Sequence, residues 1–109
     1  MLRGFAERVR QHTRPVDIVA RYGGEEVVVI LPEAGLVEAQ IIAERIRERV
    51  EAVPFTVQRC TRSIPVTVSI GVAVRHAEDT SPGDMLRRAD LALYRAKAAG
   101  RNRVEPQAA

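Results

Sequence analysis

Tryptophan is absent from this chain of 109 residues, and phenylalanine and tyrosine occur only twice each. With 46% hydrophobic residues a core can form, but it must be aliphatic, built from Val, Ile, Leu and Ala. A lone cysteine, Cys60, excludes an internal disulfide and fits a reducing compartment. No apolar run is long enough to cross a bilayer, and Met1 is not followed by the apolar core of a signal peptide. The expectation is one soluble, cytoplasmic domain, standing alone or carried by a membrane-anchored parent.

Charge of one sign is not concentrated anywhere. Seventeen basic residues against fourteen acidic ones give a net charge of +3. They are interleaved, as in Glu44, Arg45, Arg47, Glu48, Arg49 and Glu51, a pattern of a solvated helical face with local ion pairs. Nothing resembles the basic block expected of a nucleic-acid binder. Lysine is nearly absent too: Lys97 is the only one, against sixteen arginines. That bias suits bidentate recognition of phosphates or guanine edges, and GC-rich coding would produce it equally well.

Periodicity orders the elements. Leu2, Phe5, Ala6 and Val9 have helical spacing up to a stop at Thr13-Arg14-Pro15. Two β-branched runs, 17–20 and 27–31, flank a glycine pair and read as a tight hairpin with positive φ at both central positions. After a loop over 32–35, residues 36–53 form a helix with an apolar stripe of Ala39, Ile42, Ala43, Ile46 and Val50. Residues 55–57 and 66–74 read as strands joined by a polar turn around 61–63, the second placed near the middle of a sheet. Ser81-Pro82 caps a third helix that Gly100 stops as a left-handed residue, and Arg103-Val104 adds a short last strand.

The chemistry-bearing stretch is Arg21-Tyr22-Gly23-Gly24-Glu25-Glu26-Val27. Adjacent carboxylates beside bare glycine backbone make a place to hold a divalent cation and a phosphate. Taken alone, the same residues also describe a polar turn that keeps the sheet edge soluble.

Three blocks together resemble the GGDEF family, the diguanylate cyclases that join two GTP molecules into cyclic di-GMP. They are residues 21–26 (RYGGEE), 66–73 (VTVSIGVA) and 89–102 (ADLALYRAKAAGRN), in the family's order. The resemblance implies an α+β sandwich related to the nucleotidyl-cyclase palm, with helices on a mainly antiparallel sheet. Residues 1–105 would be a partial GGDEF domain lacking its first strand and first helix, and 106–109 a tail.

The same resemblance implies roles. Glu25 and Glu26 would be the catalytic and metal-binding pair, with Mg²⁺ or Mn²⁺. Gly23 and Gly24 would let backbone approach the nucleotide, and Lys97 and Arg101 would bind GTP phosphates. Arg14-Pro15-Val16-Asp17 matches the family's RxxD inhibitory motif, where cyclic di-GMP binds, with Arg45 as an auxiliary arginine. Partners would be GTP, cyclic di-GMP, a second copy of the domain and an upstream sensor or receiver domain, with no nucleic acid and no membrane contact. Val27 stands where the family usually has phenylalanine. The family's first metal-binding aspartate and its guanine-recognising Asn and Asp would precede Leu2, so this chain by itself is expected to be inactive. The alternatives are a catalytically dead cyclic di-GMP receptor and a structural half-domain that mediates association.

Overall fold

The structure, a computed structural model, describes residues 4–23, 26–56 and 63–108. Helix α1 (Phe5–Gln11) leads into strands β1 (Ile18–Arg21) and β2 (Val27–Ile30), then α2 (Leu36–Ala52). The short strands β3 (Phe55–Thr56), β4 (Ser63–Ile64) and β5 (Ile70–Val72) follow, and the chain closes with α3 (Pro82–Ala98) and β6 (Val104–Pro106). The architecture is α+β, as expected. Among the described residues the strands form three two-stranded ladders: β1–β2 and β3–β4 antiparallel, β5–β6 parallel.

The core is aliphatic apart from Phe55. Val9 of α1, Ile42, Ile46 and Val50 of α2, and Phe55 bury together, with Val19, Val29, Val66, Val68 and Ile70 packed against them. Ala39, Ala43 and Val72 form a second cluster under Leu31, Leu36 and Val104. All five residues of the expected α2 stripe are buried. Each large aliphatic side chain so buried contributes roughly 1.5–3 kcal/mol relative to exposure. Arg8 covers the far edge of this core: its guanidinium lies 3.6 Å from the Phe55 ring centroid and donates to the carbonyls of Val53 and Pro54.

Helix α3 is held unusually close to β5, and small residues are the reason. Ala92 and Ala96 have no exposed surface, and a Cβ on Gly71 would lie 2.2 Å from the Ala89 carbonyl oxygen. Only glycine permits that approach. At its other end α3 stops in a Schellman motif, with Arg101 N–H donating to Ala96 O and Gly100 N–H to Lys97 O. Gly100 is left-handed as the sequence predicts, with φ +123°.

Four expectations need correction. Among the described residues the bonded pair nearest the turn is Tyr22 N–H to Glu26 O, with three residues, not two, between them, and Gly23 is not in the left-handed region; Gly24 lies outside the described residues. The strand expected over 66–74 contracts to Ile70–Val72. Phe55 pairs instead with Ile64, and Pro65 next to it has no N–H to extend the ladder. Ala6 is exposed; Val9 carries the burial of α1. Pro106 and Gln107 are part of the fold and not a tail: Pro106 pairs with Val72, and Gln107 N–H donates to Val72 O at 2.7 Å. Leu2, Val57 and the turn at 61–62 lie outside the described residues.

Candidate active site

The register Arg21↔Val27 places Tyr22 and Glu26 side by side at the turn end of the β1–β2 hairpin. Facing them is one side of α3. Asp90, Leu93, Tyr94 and Lys97 follow the i, i+3, i+4, i+7 spacing that aligns side chains along a helix. These six residues line an open cleft of about 240 Å³. Glu26 and Lys97, 71 positions apart in sequence, are thereby brought to one concavity. A carboxylate and an ammonium on opposite elements suit a ligand that is itself anionic and cation-bound. Asp90, Leu93 and Tyr94 lie in the block 89–102 but receive no role from the resemblance. Their spacing relative to Lys97 is the signal that identifies them.

The other expected residues distribute differently. Gly24 and Glu25 lie outside the described residues. Gly23 is exposed beside the cleft's hairpin wall, and a Cβ there would meet only the Glu26 side chain, at 3.9 Å. Arg101 is exposed one turn beyond Lys97, on the left-handed turn after α3, and does not line the cleft.

Arg14 and Asp17 come together, and with each other. Asp17 is 3% exposed and accepts from the Arg14 backbone N–H at 2.6 Å and from the guanidinium Nε at 3.0 Å. Arg14 also donates to Pro32 O, which ties the segment before β1 to the loop after β2. The guanidinium and the Arg14 amide hold the Asp17 carboxyl below the usual carboxylate range. The carboxylate raises the Arg14 guanidinium in turn. Arg45 reaches the same corner from α2, donating to His12 O at 2.8 Å. His12 is lowered by burial first and then by Arg49, Arg45 and Arg8.

A family model for the diguanylate cyclase GGDEF domain matches residues 1–103. The chain belongs to the GGDEF domain family. Over its whole length it is 48% identical to Response regulator PleD of Caulobacter vibrioides, of which it spans 24%. Diguanylate cyclase DgcP of Pseudomonas aeruginosa is 37% identical over 96% of this chain and 15% of that protein. The chain thus spans a quarter or less of these relatives. Among solved structures, the GGDEF domain of DgcB from Caulobacter crescentus in complex with c-di-GMP superposes with a TM-score of 0.87 at 33% identity, over 96% of this chain and 61% of that one. The active GGEEF domain of a diguanylate cyclase from Vibrio cholerae gives 0.81 at 31% identity, over 96% and 65%. The GGDEF fold is therefore shared across 96% of this chain.

Proposed function

We propose that the protein carrying this GGDEF chain condenses two GTP molecules into cyclic di-GMP, and that the chain supplies the carboxylate and phosphate-binding walls of the site. The observation that carries this reading is the cleft in which Glu26 of the hairpin faces Lys97 of α3. In each half-reaction a 3′-hydroxyl attacks the α-phosphorus of the other GTP and pyrophosphate leaves. Glu25 or Glu26 takes the hydroxyl proton. Lys97 and Arg101 hold the phosphates and offset the charge that builds on the phosphoryl oxygens. Each protomer brings one GTP, so two copies meet across the nucleotides, and an upstream sensor or receiver domain brings them together.

Mg²⁺ or Mn²⁺ belongs to this reading. Among the described residues no group of three or more His, Cys, Asp or Glu forms a cage. Mg²⁺ does not require one: it keeps several waters and takes one or two protein carboxylates with substrate phosphates. Glu26 in the open cleft, with Glu25 beside it in sequence, fits that demand as a hard oxygen donor. When bound, the ion neutralises developing charge on the phosphates. No described helix is long and apolar enough to cross a membrane.

The test is nucleotide chromatography after incubating the full-length protein with GTP and Mg²⁺. Glu26→Ala should lower the rate by about 100-fold or more, the usual scale for losing one electrostatic contact to a transition state. Cyclic di-GMP made by Glu26→Ala at the wild-type rate would overturn the assignment. A protein that binds cyclic di-GMP but never forms it is the receptor of the alternative reading.

Product feedback through Arg14, Asp17 and Arg45 is the second part of the proposal. It is supported by Arg14, held by Asp17 and Pro32 O just after α1, and by Arg45, which bonds His12 O at the C-terminal end of α1. Asp17 acts there by orienting the Arg14 fork, since its oxygens are already engaged. Calorimetric titration of cyclic di-GMP checks it: Arg14→Ala should weaken binding about tenfold. Unchanged affinity would reduce the cluster to a fastener of the hairpin.

A further inference from the structure

The turn that carries Arg101 has more left-handed backbone than helix termination requires. Gly100, Arg101 and Asn102 have φ of +123°, +64° and +48°. A Schellman motif needs one such residue, which Gly100 provides. Asparagine tolerates this region; arginine does not favour it, and such a conformation persists only where the surroundings fix it.

The surroundings that fix it come from α2. Asn102 Nδ2 donates to Glu51 Oε2 at 2.7 Å, and Asn102 Oδ1 accepts from Arg47 at 2.9 Å. Arg47 is itself held between Glu44, which accepts from its Nε at 2.7 Å, and Glu51. The Glu44 carboxylate, first, raises the Arg47 guanidinium. Asn102 N–H donates to Ser69 Oγ, and Arg103 Nε closes the other side on Arg101 O. The Arg101 backbone is pinned from both sides while its side chain remains exposed.

We propose that Arg47, Glu51 and Asn102 are positioning residues that fix the direction in which Arg101 presents its guanidinium to the substrate phosphates. The proposal rests on the assignment of Arg101 to those phosphates. Strain placed at a ligand-facing residue and held by its neighbours is a form of preorganisation. Because the clamp acts through Arg101, its loss has nothing left to disturb once Arg101 is gone.

The experiment is calorimetric titration of the full-length protein with Mg²⁺ and GTP bearing an α,β-methylene bridge, which blocks transfer at the α-phosphorus. Arg101→Ala should lower affinity roughly tenfold, as expected for one charge-assisted contact. Arg47→Ala should lower it about three- to tenfold, and the double variant Arg47→Ala/Arg101→Ala should match Arg101→Ala alone, the signature of coupled residues. Asn102→Gly removes the clamp yet keeps a residue at ease in the left-handed region, so it should fold and show the same loss. Thermal unfolding of each variant is recorded alongside. A lowered Tm with wild-type affinity in Arg47→Ala and Asn102→Gly would overturn the proposal, as would losses that multiply in the double variant. Unchanged affinity in Arg101→Ala would instead overturn the phosphate assignment beneath it.

Discussion

The two walls of the cleft are built on opposite plans. The α3 wall is fastened along its whole length. Gly71 lets the helix touch β5, Ala92 and Ala96 are fully buried, and Arg95 donates to Pro106 O. Near its start, Arg88 makes a two-pronged contact to Asp79 with both distances at 2.7 Å, and also donates to Val74 O and to Gln107. The hairpin wall has little of this. Three of the four β1 residues are exposed, as is Ile30 of β2, and its side-chain fastening sits at the base, in Arg14 and Asp17. Lys97 stands on the fixed wall. Glu26 stands on the lightly held one, and Asp90 faces it from α3.

The strongest way to break this contrast is Gly71→Ala. The added Cβ would lie 2.2 Å from Ala89 O and 2.4 Å from Leu93 N, both backbone atoms that no rotamer change can move. Stability should fall by about 3 kcal/mol or more, at the severe end for overpacking, and the protein should lose its cooperative thermal transition at moderate temperature. Gly83→Ala is the control. Its Cβ would meet only Ser81 Oγ at 3.4 Å, and the first turn of a helix gains from alanine. Circular dichroism melts of both variants decide it: equal Tm values would mean that α3 is not seated on β5 as described.

A smaller effect is expected at the base of the hairpin. Asp17→Ala strips Arg14 of its carboxylate and leaves the Arg14 amide without its side-chain acceptor. Breaking a buried pair costs about 3–5 kcal/mol, and Arg14 keeps 30% of its side-chain surface in water, so about 2 kcal/mol is expected here. Denaturant titration measures it. A loss below about 0.5 kcal/mol would show that the hairpin does not depend on this pair.

Much of this contrast is legible in the sequence, and the illegible part has a physical cause. Helices α2 and α3 announce themselves by the stripe from Ala39 to Val50, by Ser81-Pro82 and by Gly100, all local signals. The paired runs around the glycines likewise identify β1 and β2. The extent of the strand around Ile70 does not, because a strand is defined by a partner and the apolar alternation of Val66 and Val68 is satisfied by packing alone. The same holds for the site. Glu26 and Lys97 receive roles from the resemblance, whereas Asp90 and Tyr94, in the same block as Lys97, line the cleft only because of the face α3 turns to the hairpin. Gly71 is part of a quoted motif, yet its reason, a helix backbone in contact, exists only in three dimensions.

Acid should weaken both walls together. The Asp17 carboxyl is held low by the Arg14 guanidinium and amide, and the Asp79 carboxyl is held lower still by Arg88 and the His76 amide. Both folded values lie below the ordinary 3.8, so near that pH the unfolded chain binds more protons than the folded one. Their stabilisation is therefore present above the unfolded value and is lost as pH falls through it and on toward the folded values. Tm measured between pH 6 and pH 3 should drop, and Asp79→Asn should flatten part of that slope. A Tm independent of pH over this range would contradict both pairs.

The smallest expected effect is at Arg45, and it sharpens the corner next to the hairpin. Arg45 is exposed and among the described residues makes one bond, to His12 O, so Arg45→Ala should cost well under 1 kcal/mol of stability. His12 is the better reporter. Burial lowers its pKa from 6.5, and Arg49, Arg45 and Arg8 lower it further, in that order. A neutral His12 is therefore favoured by the fold, and its contribution falls as pH drops below about 6.5. Removing a neighbouring positive charge should raise the His12 midpoint, with Arg49→Ala moving it more than Arg45→Ala. NMR titration of the ring protons reads both shifts directly. If neither variant moves the midpoint, the arginines of α2 stand too far from the end of α1 to cooperate with Arg14 in holding a guanine or phosphate there. If Arg45→Ala moves it more than Arg49→Ala, Arg45 is the nearer cation and the stronger candidate for the auxiliary contact to cyclic di-GMP.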